Sequence, residues 1–169
     1  MNQKALLDLS YGLYIVTSKE KEKFSGCVVN TVCQATAEEK PKLTVIINKE
    51  NYTNQIAKKS KKLNISVLSK EADMLLIGKF GFRSGKDFNK LEGTEYIEGK
   101  NRVPVITQAV CSYLECDVID VIDCGSHSIF VLEMQDAEIL SDKEPMTYQY
   151  YHNVIKGKTP PKASSYMGK

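Results

Sequence analysis

The chain has 169 residues, 42% hydrophobic and 26% charged, with a net charge of +2. That is long enough for one self-sufficient core, and the composition excludes a disordered or collagen-like chain. The small charge balance gives no reason to expect nucleic acid, and no apolar run nears the ~18 residues of a membrane span, so neither is an expected partner.

The opening residues carry Asp8 and no long apolar stretch, which does not fit a signal peptide, so a cytoplasmic location is expected. Residues 4–9 have the leucines for a short helix, and residues 11–17 are aromatic and β-branched, predicting a strand. A charged turn at 18–23 and a second strand over 24–34 complete a hairpin, with Gly26 marking a bend or close approach. After Pro41, the apolar run 43–48 predicts a strand buried on both faces. Thr53 is the expected N-cap of a helix over 54–59, with Lys58, Lys59, Lys61 and Lys62 crowding its C-terminal end. Residues 63–68 alternate and predict a half-buried strand, and residues 72–80 predict another helix. A polar, glycine-dotted loop spans 81–101. Long strands over 110–122 and 127–140 follow, with a turn at Gly125-Ser126, then a short aromatic segment at Tyr148, Tyr150 and Tyr151. Residues 1–155 therefore read as one domain and 156–169 as an extended basic tail. The sum is mainly β: six or seven antiparallel strands in a barrel, with two or three short helices.

The chemical inventory is thin. His127 and His152 are the only histidines, and His152 reads as structural. Hydrolase, Walker and Rossmann motifs are missing. The five cysteines (Cys27, Cys33, Cys111, Cys116 and Cys124) are odd in number and form no C-x-x-C pair, so they read as reduced, with no metal expected. Three segments carry more. Asn30-Thr31-Val32-Cys33-Gln34-Ala35-Thr36 is a strand end rich in small polar groups. In Asn48-Lys49-Glu50-Asn51-Tyr52-Thr53 a strand runs into a helix N-terminus, whose free N–H groups suit a phosphate. The loop from Phe80 through Phe82, Arg83, Ser84, Gly85 and Lys86 to Lys90 offers hydroxyl, glycine and cations for an anion.

Together with Leu9-Ser10-Tyr11-Gly12-Leu13-Tyr14-Ile15-Val16-Thr17-Ser18, Gly125-Ser126-His127-Ser128-Ile129-Phe130 and Tyr151-His152-Asn153-Val154-Ile155-Lys156-Gly157-Lys158-Thr159-Pro160, these segments resemble the flavin reductase-like family of FMN-binding split barrels. The likeness is nearest to the flavin domain of rubredoxin-fused reductases, to flavoredoxins and to archaeal ferric reductases. It implies a homodimeric Greek-key split barrel holding FMN. It also implies hydride transfer from NADH or NADPH and electron delivery to flavin, a ferric complex or a rubredoxin-like protein. By likeness, Asn30, Thr31, Val32, Cys33, Gln34, Ala35 and Thr36 run beside the isoalloxazine. Asn48, Lys49 and Thr53 hold ribityl and phosphate; Phe82, Ser84, Gly85, Lys86 and Lys90 close the site; His127 positions the nicotinamide. The family often has Asp before that histidine, where this chain has Ser126. The alternative is an FMN electron carrier without nicotinamide binding. Rubredoxin-fused relatives continue beyond the position of Tyr166, so no acceptor on the same chain is expected.

Overall fold

The computed structural model describes residues 1–166. A short 3-10 helix, Gln3–Asp8, leads through Gly12 into β1 (Tyr14–Glu20), which forms a hairpin with β2 (Lys23–Val29). The charged residues expected as a turn are mostly strand. Lys19 pairs with Phe24 and Glu20 with Lys23, leaving Lys21 and Glu22 as the turn, with Lys21 left-handed at φ 54°. The strand expected over 24–34 is broken at Asn30-Thr31. Beyond the break, β3 (Val32–Gln34) pairs with β4 (Lys42–Asn48) at the other end of the sheet.

The helix α1 spans Tyr52–Ser60. Asn51, in extended backbone at φ −66° and ψ 129°, occupies the N-cap position, so Thr53 lies within the first turn instead of capping it. At the other end Lys61 is left-handed and its N–H donates to the Ala57 carbonyl, closing the helix. Next come β5 (Lys62–Leu68) and α2 (Met74–Phe82), the latter capped by Asp73, whose carboxylate accepts from Leu76 N at 2.8 Å. Within the stretch expected as loop lies β6 (Tyr96–Glu98), paired with β7 (Pro104–Ile106). The long strands β8 (Val110–Cys124) and β9 (His127–Ile139) meet at a turn where Gly125 has φ 70°. The aromatic segment near the end is a helix, α3 (Tyr148–Asn153), capped by Thr147.

Seven strands form one antiparallel sheet in the order β2-β1-β5-β8-β9-β4-β3. The sheet curls until β2 contacts β4, but no ladder joins them among the described residues. The barrel is therefore split, and α1 packs at the split against β1, β2 and β4. Inside lie Val16, Val45, Ile47, Leu63, Ile65, Phe130 and Leu132, with Ala57 from α1. A second core of Leu13, Ile15, Leu76, Ile77, Phe80 and Tyr151 fixes α2 and α3 on the outside. The mainly β, antiparallel expectation holds. The burial of two strands is reversed. The β4 expected to be buried on both faces alternates between buried and half-buried, whereas β5 is buried on both faces, Asn64 and Ser66 included.

Candidate functional site

The first turn of α1 leaves backbone donors open among the described residues. Asn51 makes no side-chain capping bond, and among the described residues the N–H groups of Tyr52 and Thr53 have no hydrogen-bond acceptor. Across from this turn runs the loop 83–90. Its Ser84 hydroxyl accepts from Lys86 N at 3.2 Å, and the Lys86 ammonium stands 5.5 Å from the Tyr52 ring centroid. Tyr52, Gly85, Lys86 and Asn89 line one shallow depression. Gly85 packs closely there: a β-carbon at this position would lie 2.7 Å from Ser25 Oγ, which would have to move.

Three predicted cations or hydroxyls are turned elsewhere. Lys90 is only 2% exposed and donates to the carbonyls of Gly26 at 2.6 Å and Phe80 at 3.1 Å. Burial pulls its ammonium down to about 8. This differs from the expectation that set Lys90 beside Lys86 over a phosphate. The Thr53 hydroxyl is likewise buried and lies 2.9 Å from Ser25 Oγ. Lys49 pairs with Asp123 at 2.6 Å, which holds that carboxyl below its ordinary range.

On the other side of the α1 N-terminus lies a narrow apolar groove. Asn30, Asn48 and Phe82 of the predicted residues line it, with Leu13, Ile46, Tyr148 and Tyr151. The sequence does not single out these last four as site residues; the tyrosine-rich stretch after Pro145 points to Tyr148 and Tyr151, and no local signal marks Leu13 or Ile46. The groove's roof was missed as well. Residues 156–166, expected as an extended tail, turn back over it through Pro160, Lys162, Ala163 and Ser164. Thr31 meets this segment through Ser164 at 3.2 Å. The rest of the predicted strand end has other surroundings. Val32 packs on the barrel core, Cys33 is exposed, the Gln34 amide donates to the Thr36 carbonyl at 2.9 Å, and Ala35 and Thr36 bond to Lys42 across the β3–β4 turn.

His127 pairs with Asn48 in the β4–β9 ladder, which sets it next to a groove residue. Its Nδ1 lies 2.8 Å from Ser126 Oγ, and its Nε2, shielded from solvent, has no hydrogen-bond partner among the described residues. His152 is tied up by the chain end, Nδ1 to the Gly157 carbonyl and Nε2 to Thr159. All five cysteines are free thiols.

Comparison with known proteins fits this geometry. The family described as flavin reductase like domain matches residues 6–157. The ferric-chelate reductase (NAD(P)H) of Archaeoglobus fulgidus is 44% identical over 168 residues, covering 99% of this chain and 98% of that protein. The high molecular weight rubredoxin of Moorella thermoacetica is 42% identical over 98% of this chain and 72% of its own length. Among solved structures, the flavin reductase HpaC complexed with NADP+ superposes with a TM-score of 0.72 at 25% identity, covering 86% of this chain and 90% of that one. With a match across almost its whole length, the chain belongs to the flavin reductase-like family.

Proposed function

We propose that this protein is an NAD(P)H-dependent flavin or ferric reductase that holds FMN at the barrel split. The observation that carries this reading is the uncapped first turn of α1, set between an apolar groove and the Ser84–Lys86 loop. The residues fit the group. Free N–H groups and Lys86 suit a phosphate, and a groove of Leu13, Ile46, Phe82 and tyrosines suits a flat aromatic ring. When bound, FMN would supply the redox chemistry, hydride acceptance and onward electron transfer.

The chain's own groups bind and exclude. Tyr52 N–H, Thr53 N–H, Ser84 and Lys86 neutralise the phosphate, while Asn30 and Asn48 offer amides to the ring's polar edge. The open Nε2 of His127 is available to a nicotinamide carboxamide, and the Ser126 hydroxyl orients the imidazole where other members carry Asp. Identity with a ferric-chelate reductase and with a rubredoxin supports a ferric complex or a rubredoxin-like protein as acceptor. The exposed Leu6, Leu7, Leu9, Ile119 and Ile122 are apolar surface of the kind a homodimer covers. We place the protein in the cytoplasm.

The test is an anaerobic visible spectrum of the FMN-loaded protein, before and after NADH and then NADPH. A flavin band that bleaches with either donor is expected. A band that bleaches only with dithionite overturns the reductase reading in favour of an electron carrier. No band after incubation with FMN overturns the flavin site itself.

A further inference from the structure

Residues 159–166 stand as a partition between two spaces of very different size. On the barrel side the groove is closed down to a cavity of about 30 Å³, room for about two water molecules. On the outer side, between this segment and the N-terminal 3-10 helix, lies a groove of about 930 Å³ lined by Leu6, Leu9, Tyr11, Ser164, Ser165 and Tyr166 among others. A three-ring ligand does not enter the inner space while the partition is in place.

The contacts that hold the segment are at the groove's polar end. Asn30, 5% exposed, has both ends of its amide satisfied: Nδ2 donates to Ser165 Oγ at 2.7 Å, and Oδ1 accepts from Ser164 Oγ at 3.1 Å. One donor and one acceptor side by side is also the pattern of a cyclic imide edge, N–H next to C=O. The remaining ties among the described residues are few and made by side chains: Ser164 to Thr31, Thr159 to Tyr148 and His152, Ser165 to Tyr148, and Lys162 to Glu50 at 3.1 Å. Among the described residues the backbone bonds of this segment stay within itself, Ala163 N to Pro160 O and Tyr166 N to Ala163 O, and none joins it to the sheet. It therefore peels away without breaking a ladder. Lys162 already lies beside Glu50, next to the α1 N-terminus, where an incoming phosphate competes for its charge.

We propose that residues 159–166 form a latch on the flavin groove: in the ligand-free chain their hydroxyls occupy Asn30 and Thr31 in place of the flavin's polar edge, and flavin enters only when the segment withdraws into the outer groove. The inference rests on the flavin reading above. The test is stopped-flow quenching of FMN fluorescence by the flavin-free full chain, by a chain ending at Lys158, and by the Ser164→Ala/Ser165→Ala double variant. For the full chain the observed rate is expected to level off as FMN is raised, at the rate of opening. For the truncated chain it should rise linearly and be at least ten-fold faster, and the double variant, which keeps the segment, should fall between. FMN should also speed tryptic cleavage after Lys162. Equal association rates in all three proteins, or loss of binding on truncation with unchanged rates in the double variant, overturn the latch and leave the flavin site standing. If none of the three binds FMN, the flavin reading fails and the latch fails with it.

Discussion

Lys86 and Lys90 sit four residues apart on one loop and have opposite fates. Lys86 remains at the surface, its ammonium over the Tyr52 ring at the mouth of the α1 turn. Lys90 is drawn inside, where it bridges the Gly26 carbonyl of β2 to the Phe80 carbonyl of α2 beside the Cys27 thiol, itself pushed up by burial. Of these two lysines, one is exposed at the proposed phosphate seat and the other fastens the loop to the barrel. The difference comes from the surroundings. Gly26 exposes its carbonyl in a crowded place, with a hypothetical β-carbon 3.0 Å from the Phe80 ring, and only a long cationic side chain reaches both carbonyls.

The comparison is broken most directly at Lys90. Lys90→Met keeps the length but leaves two carbonyls without their donor, each worth roughly 1–3 kcal/mol when buried. We expect about 3 kcal/mol of destabilisation by urea unfolding at pH 7. Under 1 kcal/mol would mean that water or relaxation replaces the ammonium and that the two lysines do not differ in kind.

Titration sharpens the same contrast. The folded value of Lys90 is about 8, against 10.5 for the ordinary group, with burial as the cause. Below about 8 both folded and unfolded chains hold the proton, and the cost of the buried charge is fully present. Between about 8 and 10.5 the unfolded chain binds more protons, so this group makes stability rise with pH. The neighbouring Cys27, raised by burial above its ordinary 9.0, works in the opposite sense from about pH 9 upward. In the wild-type minus Lys90→Met difference, the wild type should gain roughly 2 kcal/mol between pH 7 and pH 10. A flat difference would show that the two carbonyls hold the charge in spite of burial.

Gly85→Ala probes the ground between the two lysines. A methyl group there would meet Ser25 Oγ at 2.7 Å and push it off Thr53. The hydroxyl can rotate, so the expected loss is only about 1 kcal/mol in thermal unfolding. A larger loss would show that the Ser25–Thr53 pair anchors the loop as firmly as Lys90 does.

The sequence pattern revealed the sheet more fully than the site, and the reversed strands show why. β4 reads as continuously apolar, yet nothing covers the outer side of Thr44 and Ile46 completely, and they stay half-buried. β5 alternates cleanly, yet Asn64 is fully buried because residues 101–103 fold over it and accept its amide through Asn101 Oδ1 and Val103 O. Alternation records chemistry along one strand, while burial depends on what a distant segment lays across it. The same holds at the groove. Asn30, Asn48 and Phe82 are placed at a site by the family likeness, and the fold brings them to one groove. The roof was not legible, since serines and prolines in a basic tail carry no periodicity to place them. His127 was recognised through its likeness to a family motif, and only the β4–β9 register sets it beside Asn48.

The smallest stability effect belongs to Lys86, and it completes the contrast. The side chain makes no ion pair among the described residues, so Lys86→Met should change unfolding free energy by less than about 0.5 kcal/mol. Its loss should be felt by the phosphate instead. One charged contact removed at a solvent-facing seat predicts a several-fold weaker FMN dissociation constant at low salt, with the gap closing as ionic strength rises. Riboflavin, which lacks the phosphate, should bind wild type and variant equally well. If riboflavin is weakened as much as FMN, Lys86 supports the loop rather than the anion, and the division of labour between the two lysines does not exist.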